Sequence, residues 1–128
     1  MNMQSNEAKQ FNGLSLAFIG DCVYELLVRE HILSKKPVNQ LHKETVNYVC
    51  ASSQSKAVEL IKHQLSEEEL SIYKRGRNTN SNTVPKNADP QDYRRATGLE
   101  ALFGYLYLTG NTARINELFD MIFTNGGN

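Results

Sequence analysis

The sequence predicts an all-α fold, on three observations. Apolar residues recur at three- and four-residue spacing through several long segments, the period of a helix buried along one face. Helix-start and helix-stop residues bracket those segments. No segment shows the strict apolar–polar alternation that a half-buried strand requires. The chain has 128 residues, 40% hydrophobic and 22% charged, which suits one domain around one core.

Residues 1–10 are polar and are expected to fray. A long helix is expected over 14–34. Leu16, Ile19, Val23 and Leu27 give it one apolar stripe and Leu14, Phe18 and Cys22 a second, and Lys35-Lys36-Pro37 ends it. A second helix is expected over 39–51 with Leu41, Val46 and Val49 inward. A third, over 53–64, turns Ala57, Val58, Leu60 and Ile61 to the core. Ser66-Glu67-Glu68-Glu69 reads as a capping box, with Ser66 as N-cap and Glu69 at the third helical position. It starts a short helix through Leu70 and Tyr73 that stops near Gly76. The polar run Asn78–Thr83 has no period, so 78–88 is expected to be a mobile loop. Asp89-Pro90 has the form of an N-cap followed by Pro at the first helical position. The helix it opens runs to about Thr109, with Gly98 and Gly104 as places for a bend. Asn111 or Thr112 caps a last helix that buries Ile115, Leu118, Phe119 and Ile122. There is no internal repeat.

The net charge is zero, but its distribution is uneven. Lys74, Arg75, Arg77, Lys86, Arg94 and Arg95 face only Asp89 and Asp92 within residues 74–95, a local excess of four positive charges. Such a patch can steer a polyanion whatever the total; it can equally be a solvated loop beside a helix end. Cys22 and Cys50 form no CxxC pair, and both lie in apolar surroundings that suit small core residues. No signal peptide and no run of membrane-spanning length is apparent, so the expectation is a cytoplasmic, reduced protein without a membrane partner.

Two carboxylates interrupt apolar runs. Asp21 lies within Leu14–Val28 and Glu100 within Leu99–Leu108. An unpaired carboxylate taken out of water is costly, so each needs a partner. One solution is an ion pair with Arg29, Arg94 or Arg95. The other is a shared hard cation, which at carboxylates commonly handles phosphates. Glu25 lies one turn beyond Asp21 on the same face, as a metal ligand, an outer partner or an interface residue. His31, His42 and His63 make no ligand spacing, and HExxH, paired ExxH and Gly-rich phosphate loops are absent. This argues against a zinc hydrolase, a di-iron bundle and a P-loop enzyme. The roles of His42 and Glu44 stay open.

Phe18-Ile19-Gly20-Asp21-Cys22-Val23-Tyr24-Glu25-Leu26 resembles the signature helix of the ribonuclease III family. Thr97-Gly98-Leu99-Glu100-Ala101-Leu102-Phe103-Gly104-Tyr105-Leu106-Tyr107-Leu108 resembles that family's second acidic motif. Gly76-Arg77-Asn78, Pro85-Lys86-Asn87, Tyr93 and Ala96-Thr97-Gly98 are similar to its short bacterial branch, Mini-ribonuclease III. The resemblance covers about residues 10–124, and residues 1–128 are then one nuclease domain. It implies an all-helical endonuclease domain that forms a homodimer, with Phe18 near the dimer interface. It implies Mg²⁺-dependent hydrolysis of double-stranded RNA to 5′-phosphate and 3′-hydroxyl ends. Asp21 and Glu100 are the implied catalytic and metal-binding residues, with Glu25 and Thr97 in supporting positions. The branch implies a large-subunit (23S) ribosomal RNA precursor as substrate, with a ribosomal protein as a possible presenter.

Two departures bear on that expectation. Where most of the family carries further carboxylates, this chain has Ala17 and Thr97. Fewer protein oxygens would then meet the metal, which Mg²⁺ tolerates because it keeps several waters. The second is that no double-stranded RNA-binding domain is expected to follow the nuclease motifs. A-form RNA is recognised through shape, phosphates and 2′-hydroxyls, so Lys74, Arg75, Arg77, Lys86, Arg94 and Arg95 are the expected contacts. The principal alternative is a non-catalytic double-stranded RNA-binding dimer of the same fold. A purely structural dimerisation module, a carboxylate-bridged redox bundle and a nucleotide phosphohydrolase fit less well.

Overall fold

The computed structural model describes residues 2–79 and 84–125. Among them the chain forms seven α-helices and no strand: α1 (Ser5–Ala8), α2 (Gly13–Ile32), α3 (Val38–Val49), α4 (Ala51–Ile61), α5 (Glu67–Arg77), α6 (Pro90–Leu108) and α7 (Thr112–Asn125). A 3₁₀ turn, Lys62–Gln64, follows α4.

Helix α6 is the centre. Every residue from Ala101 to Leu106 is buried, as are Ala96 to Leu99. A helix that is apolar on all sides must be surrounded, and α2, α4, α5 and α7 pack around it. Its start matches the sequence reading: Asp89 accepts from the Gln91 N–H at 2.9 Å, and Pro90 follows. Its end is a Schellman motif. Gly110 adopts φ +77°, its N–H donates to the Tyr107 carbonyl (3.0 Å), and the Asn111 N–H donates to Leu106 (2.8 Å). The predicted capping box of α5 also forms, with Ser66 and Glu69 each accepting the other's backbone N–H.

Helices α2 and α6 cross almost backbone to backbone. A Cβ on Gly20 would lie 1.6 Å from the Glu100 carbonyl oxygen, and one on Gly104 would lie 2.0 Å from that of Leu16. Only glycine permits this approach.

Several expectations need correction. Residues 2–10 do not fray: they include α1, and Ala8 is buried. The Met3 N–H takes the Leu108 carbonyl at 2.7 Å, and Arg75 Nη1 takes that of Lys9 at 2.7 Å. These bonds satisfy polar groups that solvent would otherwise compete for. The second stripe of α2 is not core, since Leu14, Phe18 and Cys22 are exposed. Together with Phe11 and Leu26 they form an apolar ridge, with Phe18 at 76% exposure. Val46 and Leu60 are exposed for the same reason: their helices bury a narrower face than the apolar count suggested. Cys50 meets the Ser52 and Ser53 hydroxyls rather than apolar neighbours. Of the expected mobile loop 78–88, residues 80–83 lie outside the described residues. Asn78 and Thr79 close α5, and the Ala88 N–H donates to Pro85 across a turn (3.1 Å).

Candidate active site

The glycine crossing determines where the acidic residues meet. Asp21 follows Gly20 on α2, and Glu100 lies one turn before Gly104 on α6. With the backbones this close, the two carboxyl groups are near enough for each to bias the other's ionisation. Neither is salt-bridged to a cation among the described residues. Arg29 pairs instead with Glu25 (Nη2 at 2.7 Å), and Arg95 reaches Glu59 (3.7 Å). The arginine-pair reading of Asp21 and Glu100 is therefore not realised.

The expectation that both acids are buried holds for one of them. Glu100 is half-buried, whereas Asp21 lies exposed at the edge of the apolar ridge of α2. Removal from water and then the neighbouring Asp21 charge push the Glu100 carboxyl up to about 7. Partial burial and then the Glu25 charge raise Asp21, while the neighbouring Glu100 carboxyl opposes the rise. Two carboxyls this close resist double ionisation, so Glu100 takes up a proton as pH falls through about 7.

Sequence reasoning missed Gln54. It lies on α4, 1% exposed, and its Nε2 donates to Glu100 Oε2 at 3.1 Å and to the Val49 carbonyl at 2.9 Å. Its signal was present. Gln54 stands three, four and seven residues before Ala57, Val58 and Ile61, so it falls on the core face of its helix.

The supporting positions are placed differently from one another. Glu25 is tied to Arg29 and touches the pair through its charge alone. Thr97 turns toward α5, and its hydroxyl donates to the Tyr93 carbonyl at 3.0 Å. It lines a cleft of about 320 Å³ with Gly76, Arg77, Asn78, Tyr93 and Arg94. Arg77, Arg94 and Arg95 also share an adjoining cleft. Thr97 precedes Glu100 by three residues, a rise of about 4.5 Å along α6 between the two side chains' backbone positions. Arg77 lies over the Tyr73 ring, 5.7 Å from its centroid. Lys74 and Lys86 are exposed, and Lys86 lines a separate cleft with Cys50, Ser52, Asp89 and Asp92. Arg75 is the exception among the expected RNA contacts. Its Nη1 is held by Lys9, and its Nε and Nη2 are buried, so it ties α5 to the amino-terminal segment.

Two carboxyls with no cation paired to them among the described residues, both raised in pKa and one held by a neutral amide, are a donor set that suits a hard divalent ion. No group of three His, Cys, Asp or Glu side chains converges as a metal cage among the described residues, so an ion here would be completed by water or ligand oxygens. No helix among the described residues is long and apolar enough to cross a membrane.

Residues 14–111 match the family described as Ribonuclease III domain. The chain is 49% identical over 119 residues to Mini-ribonuclease 3 of Clostridium tetani, covering 91% of this chain and 79% of that one. It is 54% identical over 110 residues to Mini-ribonuclease 3 of a Thermoanaerobacter species, covering 84% and 78%. With the Staphylococcus aureus Mini-ribonuclease 3 the identity is 41% over 128 residues, covering 96% and 95%. A crystal structure of a Fusobacterium nucleatum protein superposes with a TM-score of 0.82 at 33% identity, over 88% of this chain and 93% of that one.

Proposed function

The chain belongs to the ribonuclease III family, in its Mini-ribonuclease III branch, and is an endoribonuclease; we propose that it hydrolyses double-stranded RNA as a Mg²⁺-dependent homodimer, leaving 5′-phosphate and 3′-hydroxyl ends. The observation that carries this reading is the approach of Asp21 and Glu100 from two helices, with no cation paired to either among the described residues. Asp21 and Glu100 would hold the ion, with Glu100 giving up its proton as the ion binds. Bound there, Mg²⁺ supplies the Lewis acidity that activates a water and stabilises the departing 3′-oxygen.

The chain's other residues have simpler tasks. Arg77, Arg94 and Arg95 would engage RNA phosphates in the clefts they line. Lys74 and Lys86 add exposed positive charge; Arg75 drops out of the RNA-contact set because the amino-terminal segment occupies it. Thr97 would shape the cleft it lines with Arg77 and Arg94. Glu25 tunes Asp21 by charge. The ridge of Phe11, Leu14, Phe18 and Leu26 supports the homodimer, because an apolar strip on one helix is best covered by its copy. A large-subunit ribosomal RNA precursor as substrate, presented by a ribosomal protein in the cytoplasm, rests on the branch alone.

The test is cleavage of end-labelled double-stranded RNA in Mg²⁺ by the unmodified protein and by Asp21→Asn and Glu100→Gln. Loss of cleavage in both variants, each still folded, is the expected result. Intact RNA with the unmodified protein, or full activity in either variant, would overturn the reading.

A further inference from the structure

Gln54 is the buried polar side chain beside the acid pair, and its bonding is fully determined by its neighbours. Both hydrogens of Nε2 are committed, one to the Val49 carbonyl and one to Glu100 Oε2. Both neighbours are acceptors there, so a flipped amide would set oxygen against oxygen. Its Oε1 is buried and has no hydrogen-bond partner among the described residues. A Met or Leu would fill the same space without that penalty, so packing alone does not account for Gln54.

The Val49 carbonyl is one of the unsatisfied groups at the end of α3, and Cys50 joins α3 to α4. Gln54 uses this fixed point to reach Glu100 on a different helix. We propose that Gln54 is a positioning residue for the reaction: anchored on the α3–α4 junction, it fixes one oxygen of Glu100 and leaves the other to the metal ion and substrate. The proposal rests on the reading of Asp21 and Glu100 as the catalytic pair.

The residue type fits this task. A lysine or arginine would neutralise Glu100 and compete with the ion. A glutamate would add a third negative charge. A carboxamide orients without altering the charge. Orientation matters more here because the positions that could have carried further carboxylates are Ala17, which is packed in the core, and Thr97, which turns to α5. A hydrogen-bonding partner behind a metal ligand typically affects affinity or activity 10- to 100-fold, by about that factor when removed.

The experiment uses Gln54→Met, close in volume and unable to donate, with Mn²⁺ binding to the RNA-free protein followed by electron paramagnetic resonance. We expect the Mn²⁺ dissociation constant to rise about 10- to 100-fold and kcat to fall by a similar factor at fixed Mg²⁺. KM for RNA stays within about twofold, and excess Mg²⁺ recovers part of kcat. Unchanged Mn²⁺ affinity and kcat in folded Gln54→Met protein would overturn the proposal. Gln54→Glu keeps reach and volume and is the second variant. It is expected to bind Mn²⁺ at least as tightly while kcat falls about tenfold or more, because Glu100 is turned away; an unchanged kcat would overturn the proposal. Glu100→Gln separates the two levels. If it cleaves normally, the catalytic-pair reading fails; if it is inactive while both Gln54 variants behave as the unmodified protein, only the positioning role fails.

Discussion

Glu69 and Glu100 are both glutamates drawn out of water at a contact between helices, and they ionise in opposite senses. Burial pushes Glu69 up, but Arg114 grips both its oxygens (2.8 and 2.9 Å) and the Ser66 N–H adds a third bond, so its carboxyl ends below the usual range. Glu100 meets Asp21 where Glu69 meets Arg114, and it rises to about 7. The first pair is complete within the chain: Arg114 also donates to the Gln64 carbonyl and to Glu117, and so locks α7 onto the start of α5. The second has no cation paired with it among the described residues. The comparison separates a structural acid from a functional one by its partner, since burial alone acts on both in the same direction.

The largest expected effect is on chemistry. Glu100→Gln or Asp21→Asn should lower kcat by on the order of 10³-fold, the scale of several kcal/mol of metal-assisted catalysis. Glu69→Gln, once folded, should leave kcat within about threefold; an equal loss in both would erase the distinction. The next effect is on stability. Arg114→Met strands the Glu69 charge, and urea unfolding should show a loss of about 3 kcal/mol. Glu100→Gln should act the other way in EDTA, raising Tm by roughly 5 °C, about what 1 kcal/mol gives in a domain of this size.

The two acids also predict opposite pH dependences in EDTA. Glu100 is raised from 4.5 to about 7, so the stability it contributes is full below 4.5 and is lost as pH rises through about 7. Glu69 is lowered from 4.5, so its contribution is present above 4.5 and is lost as pH falls through its folded value. Thermal melts from pH 3 to 9 should show both slopes. Glu100→Gln should flatten the alkaline one, Arg114→Met the acid one, and Mg²⁺ should restore stability above pH 7 only where Glu100 is present. A Glu100→Gln protein that keeps the alkaline slope would break the comparison. The smallest effect belongs to Glu25→Gln. Its bond to Arg29 is an exposed i,i+4 pair, so stability should change by less than about 0.5 kcal/mol. Activity should shift only slightly, through the charge it places near Asp21.

Much of the fold was legible because it is local. The capping box at Ser66 and Glu69, the Asp89-Pro90 start of α6 and the buried face of α7 all depend on residues within a few positions of one another. Asp21 and Glu100 were legible as polar interruptions of apolar runs. Cys22 reads as a small core residue yet is exposed, because periodicity marks an apolar stripe but not what covers it. Gln54 was passed over because a lone glutamine on a helix has no spacing to announce it, although its core-facing register did.

By itself, the sequence determined helices α2 to α7 to within about three residues at each end, the residue types of the acid pair and the glycines at positions 20 and 104. Only the tertiary structure decided that Asp21 and Glu100 come together, that Gln54 joins them from α4, and that Arg75 serves the amino-terminal segment while Arg77 and Arg94 line a cleft. The physical reason is range. Caps and turns are satisfied within one turn of chain, whereas the ionisation of a carboxylate depends on whichever group long-range packing sets against it.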